Sequence, residues 1–412
     1  MNFVELVSLV GFVEVVILFL YAARWYLFSS VVLRRSRAAN RRNGDCGRDS
    51  VLVSVLLPVY NEPNVVDRLL EACTSFNSPP YEVVVIDDSD DGVTSQRLAA
   101  WQSRANVKVV HRESRRGWKG GALNDGLDKM DARSSHVLIF DADFVPPSDL
   151  VGRFVSRFVD DDVVAVQGYQ KHDLNAGENW ISKGVRVWHS LYNMIELNGQ
   201  HQLGLFLPLT GSVYMVRTDV LRKFRFKEVT TEDTDLSVRL YEGGYKISFD
   251  PTLAASGECP STLRRLFKQQ MRWAEGHTRV FRDHFWGMLR SRFLSFSDKV
   301  DFLFFGFSFL NNVLIFALFV AWLLTLLFPR YFLPLPIVQA GLLLFVVSVP
   351  SGILSSLVAL SLEGAKRDFR KIPYAWVLNF VMVPAMALAS LKGLFTRRGV
   401  FHRTYKTGKM RQ

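Results

Sequence analysis

The sequence predicts an α/β domain with a largely parallel sheet, set between apolar helices long enough to cross a bilayer. Three observations predict it. Short β-branched runs alternate with helical patterns between residues 50 and 290, as in βαβ units. The runs are apolar throughout instead of alternating, as expected of strands covered on both faces. The remaining apolar residues gather at the chain's two ends in stretches of membrane length.

The first stretch is 6-LVSLVGFVEVVILFLYAARWYLFS-29, interrupted by Glu14 and Arg24. No small-residue cleavage site follows it, so the sequence predicts a retained anchor over 1–30 and a basic linker over 31–49. A strand, 51-VLVSVLLP-58, stops at Pro58, and NEPNVVDRLLEACTS follows with helical spacing, Asn61 or Asn64 as its cap. Next come a strand in 82-EVVVIDDSDDG-92, a helix over about 94–104, strand 107-VKVVHR-112 and a basic loop containing glycine. Helical 119-KGGALNDGLDKM-130, strand 136-HVLIF-140, a helix, strand 163-VVAVQGY-169 and another helix complete the pattern. Acids stand where strands end: Asp87 and Asp88 after one, Asp141 and Asp143 after another. Open α/β sheets bind ligands beyond the carboxyl ends of their strands.

Amphipathic helices are expected over 261–298, with Phe267, Trp286 and the arginines toward the lipid. An apolar region over 299–396 contains three long runs, about 302–327, 336–361 and 373–395, and a basic tail occupies 397–412. Three crossings would strand that tail on the side away from the domain. The sequence therefore predicts that one run fails to cross. The favoured place is 349-VPSG-352, broken into a hairpin; the other is 299–312, lying along the interface.

Net charge is +11, concentrated at Arg34, Arg35, Arg37, Arg41 and Arg42 and between Arg264 and Arg292. These clusters flank apolar runs, which places the domain in the cytosol by the positive-inside rule. Nucleic acid is excluded as the partner, because Trp118 alone supplies a stacking aromatic to the basic loops. Cys46, Cys73 and Cys259 are scattered without metal spacing, as in a reducing compartment. GxGxxG and GxxxxGK[ST] are both absent from the sequence, so a dinucleotide or P-loop site has no support.

Two aspartates one residue apart, directly after a strand, chelate Mg²⁺ or Mn²⁺ through hard oxygens and leave room for phosphate. Asp141 and Asp143 have that context. Asp88-Ser-Asp90 and Asp233-Thr-Asp235 share the spacing, and 160-DDD-162 merely links a helix to a strand. In 230-TTEDTDLSVRL-240, Thr230 or Thr231 caps a helix with Glu232 and Asp233 in its first turn. Helix-start electrostatics explains those acids as well as a general base does. In 115-RRGWKGGALNDGL-127 the glycines admit a phosphate and Lys119 counters its charge. In 268-KQQMRWAEG-276, Gln269, Arg272 and Trp273 share one helical face, which serves either a membrane anchor or an active site.

Taken in order, PVYNE (58–62), DDS (87–89), RRGWKGGALN (115–124), DAD (141–143), TED (231–233) and QQMRW (269–273) resemble a known pattern. It is the D, D, D, QxxRW pattern of membrane-embedded family 2 glycosyltransferases, which include cellulose, mannan, chitin and hyaluronan synthases. Ceramide glucosyltransferase has a related pattern. The resemblance covers about 50–285 and extends to the flanking apolar runs, and 258-ECPSTLRRLFKQQMRW-273 is similar to cellulose-synthase-like mannan synthases. It implies a GT-A type fold over 50–260, a mixed, mainly parallel sheet with flanking helices. It also implies inverting transfer of a UDP- or GDP-linked hexose to a growing polysaccharide; the alternative is one sugar added to a glycolipid. A non-catalytic scaffold is the other class, and it predicts lost site acids, all of which are present.

By resemblance, Asp88 meets the base or ribose, with Pro58, Tyr60 and Glu62 in the same pocket. Lys119 lies near the phosphates, and Asp141 and Asp143 hold them through Mg²⁺ or Mn²⁺. Asp233, beside Glu232, deprotonates the acceptor hydroxyl, and Gln269, Arg272 and Trp273 form the acceptor end. The tail 401-FHRTYK-406 is similar to the F-x-V-T-x-K gating loop of cellulose synthases, with Arg403 in place of valine. That likeness brings Phe401, Thr404 and Lys406 over the nucleotide; a basic tail on anionic lipid headgroups is the other reading. Phe144 stands where several cellulose synthases have histidine, and polymer-extruding members have more spans. The implied partners are a nucleotide-diphosphate sugar, a glycan or lipid-linked acceptor and membrane lipids, in a multi-pass plasma-membrane protein.

Overall fold

A computed structural model describes residues 3–38, 51–327, 335–397, 399 and 404–410. Arg41, Arg42, Cys46, Phe401 and Arg403 lie outside the described residues. Helix α1 (Phe3–Ala38) precedes the domain, which contains strands β1 (Val53–Val59), β2 (Tyr81–Asp87), β3 (Val107–His111), β4 (His136–Ile139), β5 (Val163–His172), β6 (Tyr214–Arg217) and β7 (Lys246–Gly257). Helices α2 (Val66–Cys73), α3 (Val93–Trp101), α4 (Trp118–Lys129), α5 (Leu150–Val155), α6 (Trp180–Leu191), α7 (Asn198–Leu203), α8 (Thr218–Phe224) and α9 (Glu232–Glu242) connect them, with a π-helical turn at Tyr192–Leu197. Helices α10 (Leu263–Arg290), α11 (Phe296–Leu327), α12 (Leu335–Leu362) and α13 (Ile372–Phe395) follow, and a 3₁₀ segment, Lys366–Lys371, joins the last two.

The seven strands form one sheet in the order β3-β2-β1-β4-β6-β5-β7. Only β6 runs antiparallel to its neighbours β4 and β5; the other pairs are parallel. Both faces are covered, as the continuous apolar runs predict. One cluster holds Val55, Leu57, Val83, Val85 and Leu70, and the other Leu56, Val84, Ile86, Leu123 and Leu127. Pro58 does not stop β1, which continues to Val59. The β1–β4 ladder ends at Leu56↔Ile139, so the proline falls where that neighbour asks for no N–H. Neither asparagine caps α2: its cap position is Val65. The Asn61 side chain instead binds the loop after β2.

Among the described residues three stretches are long and apolar enough to cross a membrane: Leu9–Arg35, Phe296–Val320 and Lys366–Phe395, with a shorter apolar helix at Val346–Leu362. The expected hairpin at 349–352 is absent, since α12 is continuous through Pro350. Ser351 Oγ donates to Ser348 O and Ser356 Oγ to Gly352 O. Hydroxyl bonds of this kind and neighbouring helices let apolar helices tolerate proline. Ser29 of α1 bonds Ser355, and Gly352 sits against Trp25 and Trp376.

Helices α1, α11 and α12 each meet the domain at one end, through Phe28, Phe302 and Ala359. Their far halves carry exposed Leu9, Phe12, Phe319 and Val346. Helix α13 differs, because both its ends lie on the domain. Tyr374 and Leu378 press on Gly184 of α6, and Gly393 abuts Glu275 and Thr278 of α10. Arg282 donates to the carbonyls of Gly393, Leu394 and Thr396, and Arg279 to Thr396 O. These arginines were expected at lipid; they cap the α13 C-terminus, where orphan carbonyls favour cations. Phe267 likewise packs beside Leu266, Leu378 and Met382 within the protein, whereas Trp286 is exposed.

Candidate active site

Fourteen of the fifteen site residues singled out in the sequence line one cavity of about 1140 Å³; the other, Phe401, lies outside the described residues. The cavity opens beyond the carboxyl ends of β1, β2 and β4, against the start of α9 and the second and third turns of α10.

One half is built of ion pairs. Just past β2, Asp88 receives Arg112 Nη1 on both oxygens, at 2.7 and 2.9 Å, and Arg112 Nε also donates to Asp125 at 2.6 Å. Burial raises the Asp88 carboxyl above its ordinary value, with Arg112 opposing. The Arg115 guanidinium lies 3.3 Å from the Tyr60 ring centre. Glu62 is buried beside them. Lys119, in the first turn of α4, places Nζ 2.7 Å from Asp141 Oδ1 and 3.4 Å from Glu232, and donates to Gly211 O. Burial alone would lower the lysine, but the Asp141 and Glu232 charges raise it. Asp143 Oδ2 accepts from Lys406 Nζ at 2.7 Å and from the Glu258 N–H at 3.1 Å. Thr404 lines the same wall.

Among the described residues no group of three or more His, Cys, Asp or Glu side chains is placed to hold a metal. Asp141 and Asp143 are two carboxylates facing one cavity, and Asp141 is 40% exposed to it. Two hard ligands lining one cavity, Asp141 with open space beyond it, fit Mg²⁺ or Mn²⁺ that completes its shell with phosphate oxygens and water.

The other half is built of aromatic and unpaired polar groups. Burial, then the Glu232 charge, pushes Asp233 up to about 7, with Lys119 opposing. A Cβ on Gly211 would stand 3.3 Å from Asp233 Oδ2, and its φ is +86°; glycine lets the loop approach the carboxylate. Gln167 and Gln170 hold that loop through Thr210 and Ser212. Arg272 Nη1 reaches Thr230 O at 3.4 Å. Gln269 Oε1 is buried without a hydrogen bond. Trp273 meets His189 edge-on at 6.4 Å, and His189 stacks on His172 at 3.5 Å. Phe144 meets His172 edge-on at 5.6 Å, so its place is within this aromatic row. Burial holds His172 down to about 3 and His189 well below its ordinary value, so both rings are neutral. Thr231 occupies the α9 cap position, but its hydroxyl makes no capping bond.

From the side of Gln269 and Trp273 the cavity continues between α1, α11, α12 and α13, past Glu14, Asn312, Ser348 and Asn379. Sequence reasoning missed Arg112, Glu258, His172 and His189. Arg112 and Glu258 stood in quoted stretches without a role, His172 and His189 in none, and the partners of all four lie a dozen or more positions away in the chain.

The profile of the family described as Glycosyltransferase like family 2 matches residues 50–276. The chain belongs to this family. Glucomannan 4-beta-mannosyltransferase 7 of Arabidopsis thaliana is 28% identical over 367 residues, covering 85% of this chain and 64% of the relative. Glucomannan 4-beta-mannosyltransferase 2 of the same plant is 28% identical over 358 residues, covering 84% and 65%. This family 2 chain thus spans just under two thirds of the length of those relatives. A mannosyltransferase from Pyrobaculum calidifontis, solved in complex with GDP-Man and Mn²⁺, superposes with a TM-score of 0.56 at 18% identity. It covers 94% of this chain and 99% of its own, and at that identity the likeness is one of fold.

Proposed function

We propose that the protein is a membrane-embedded, inverting glycosyltransferase that moves mannose from GDP-mannose to a β-glycan. The observation that carries this reading is the convergence of the three acidic motifs and QxxRW on one cavity. There burial pushes Asp233 up to about 7. The names of the relatives and the ligand of the Pyrobaculum neighbour support mannose and guanosine over other hexoses and bases.

Asp233 accepts the proton of the acceptor hydroxyl, and the freed oxygen pair forms the bond to the anomeric carbon. The carbon–diphosphate bond breaks on the opposite face, its electrons leave with GDP, and the anomer inverts. Arg272, Lys119 and Lys406 neutralise the charge gathering on the diphosphate. Asp141 and Asp143 would hold Mg²⁺ or Mn²⁺, which would supply Lewis-acid stabilisation of the same charge. Asp88, Tyr60, Glu62 and Pro58 form the nucleoside pocket. Gln269 and Trp273 hold the acceptor ring by hydrogen bonding and stacking. The test is a donor screen with membranes and manganese, reading released nucleotide from GDP- and UDP-sugars. Release from GDP-mannose that Asp233→Asn abolishes supports the reading; equal release from the variant refutes it.

A lipid-linked acceptor is the second reading, favoured by the cavity's continuation among the apolar helices. A ladder of products excludes it; one sugar on an extractable lipid excludes the polymer.

The packing also supports a topology. In it α1, α11 and α12 cross the membrane, and α13 lies along its surface. Arg34 and Arg35, Lys366 to Lys371 and the tail then all stand on the domain's side, as the positive-inside rule asks. We place the domain at the cytosolic face of the plasma membrane, with 50–260 as the catalytic unit. Labelling of single cysteines at the two termini in intact cells tests this: the N-terminus should label from outside and the C-terminus should not.

A further inference from the structure

Residues 404–410 are fastened to the cavity wall by one carboxylate. Glu258, 2% exposed, follows the end of β7. Its Oε2 accepts the Thr407 N–H at 3.0 Å and the Thr407 hydroxyl at 3.3 Å, and its Oε1 accepts the Gly408 N–H at 3.1 Å. Two successive N–H groups converging on one anion form a backbone nest. Gly408 has φ +72°, and a Cβ there would stand 2.6 Å from Asn64 O, so this position excludes other residues. Asn64 Nδ2 donates to Tyr405 OH at 2.9 Å and to Lys406 O at 3.2 Å. The Arg265 guanidinium covers the Tyr405 ring at 4.6 Å.

The clamp and the donor half are one connected unit. Arg68 Nη2 donates to Glu258 Oε1 at 2.9 Å and to Asp143 O at 3.3 Å. The N–H of Glu258 donates to Asp143 Oδ2, the atom that also receives Lys406. One carboxylate therefore holds the tail's main chain while its neighbour holds the tail's ammonium.

We propose that Glu258 is a positioning residue for the leaving nucleoside diphosphate. By clamping Thr407 and Gly408, it fixes the Lys406 ammonium beside Asp143, where the departing charge collects. Asn64 and Arg68 complete the clamp. The inference rests on reading this half of the cavity as a diphosphate site.

The experiment compares full-length wild type with Glu258→Gln, Lys406→Met and the double variant, in detergent. Asn64→Ala is added because it loosens the tail without disturbing a buried charge. GDP affinity is measured with manganese. Tryptic cleavage after Lys406 and Lys409 is measured without nucleotide, wherever the lysine remains. Charge-assisted bonds contribute about 1.5–3 kcal/mol, so Glu258→Gln should weaken GDP binding and speed tail cleavage, each by about tenfold or more. Its loss of GDP affinity should add nothing to that of Lys406→Met, as expected when one residue acts through another. Asn64→Ala should speed cleavage in the same direction. Unchanged cleavage in both clamp variants, or additive losses in the double variant, overturns the proposal. If the tail loosens but wild type binds no GDP, the diphosphate reading fails and the clamp's part in the reaction falls with it.

Discussion

The two halves of the cavity are held in opposite ways. In the donor half three aspartates already have a cation: Asp88 has Arg112, Asp141 has Lys119 and Asp143 has Lys406. In the acceptor half Asp233 has none within ion-pair distance among the described residues. Gln269 Oε1 and Thr231 Oγ1 are buried without partners, and the imidazoles of His172 and His189 are neutral. Buried polar atoms left unpaired in a folded protein call for an explanation, and a ring of sugar hydroxyls supplies one. The difference teaches that the donor half is set by fixed charge, ready for an anion that brings its own cation. The acceptor half is set by shape and unspent hydrogen-bonding capacity, which suits a neutral, hydroxyl-rich molecule.

The strongest way to break this division is Asp233→Asn. General-base catalysis contributes roughly 10²–10⁴-fold, so kcat should fall about a thousandfold while GDP affinity in manganese stays unchanged. A comparable loss of GDP affinity would show that Asp233 belongs with the donor acids. The wild-type pH profile sharpens the same point. A base pushed up to about 7 is mostly protonated below that pH. So kcat should fall about tenfold per unit below pH 7 and level off above it.

Next in size is Asp143→Asn, which should weaken GDP binding in manganese by about 10- to 100-fold and leave acceptor affinity alone. Trp273→Ala should do the reverse more gently. Aromatic contacts contribute about 0.5–1.5 kcal/mol, so the acceptor KM should rise about threefold to tenfold with GDP affinity unchanged. Equal effects of both variants on donor and acceptor would dissolve the distinction.

The same division decides what was legible in the sequence. Asp141 and Asp143 could be read because their meaning is local: acids at the end of a buried strand lie at the open edge of a parallel sheet. Gln269, Arg272 and Trp273 were local too, three positions on one turn. Strands β1 to β5 announced themselves by apolar, β-branched runs, whereas β6, four antiparallel residues, and β7, KISFDPTLAASG, gave no such signal. Glu258 could not be read, since its partners lie about 150 positions away in the chain. Arg112 looked like the last residue of a strand until the fold set it across from Asp88. The apolar composition of α13 could not show that Gly184 and Gly393 are small enough to let the helix lie against α6 and α10.

The smallest effect tests the neutrality of the histidine pair. His172 is held near 3 by burial, against an ordinary value of 6.5. Between those limits the unfolded chain takes up a proton that the folded chain refuses. The unfolded state thus binds more protons, and stability rises with pH across that window. The contribution is complete above about pH 6.5 and is lost progressively as pH falls toward 3, by at most about 1.4 kcal/mol per unit for one histidine. His172→Gln keeps a polar side chain of similar reach and removes the proton site. Its thermal stability in detergent should therefore depend less steeply on pH between 6 and 4 than that of the wild type, even if it is lower at pH 7. A variant slope equal to that of the wild type would mean that His172 accepts its proton in the folded protein. The acceptor wall would then carry charge at moderately acid pH, and the contrast with the ion-paired donor half would vanish there.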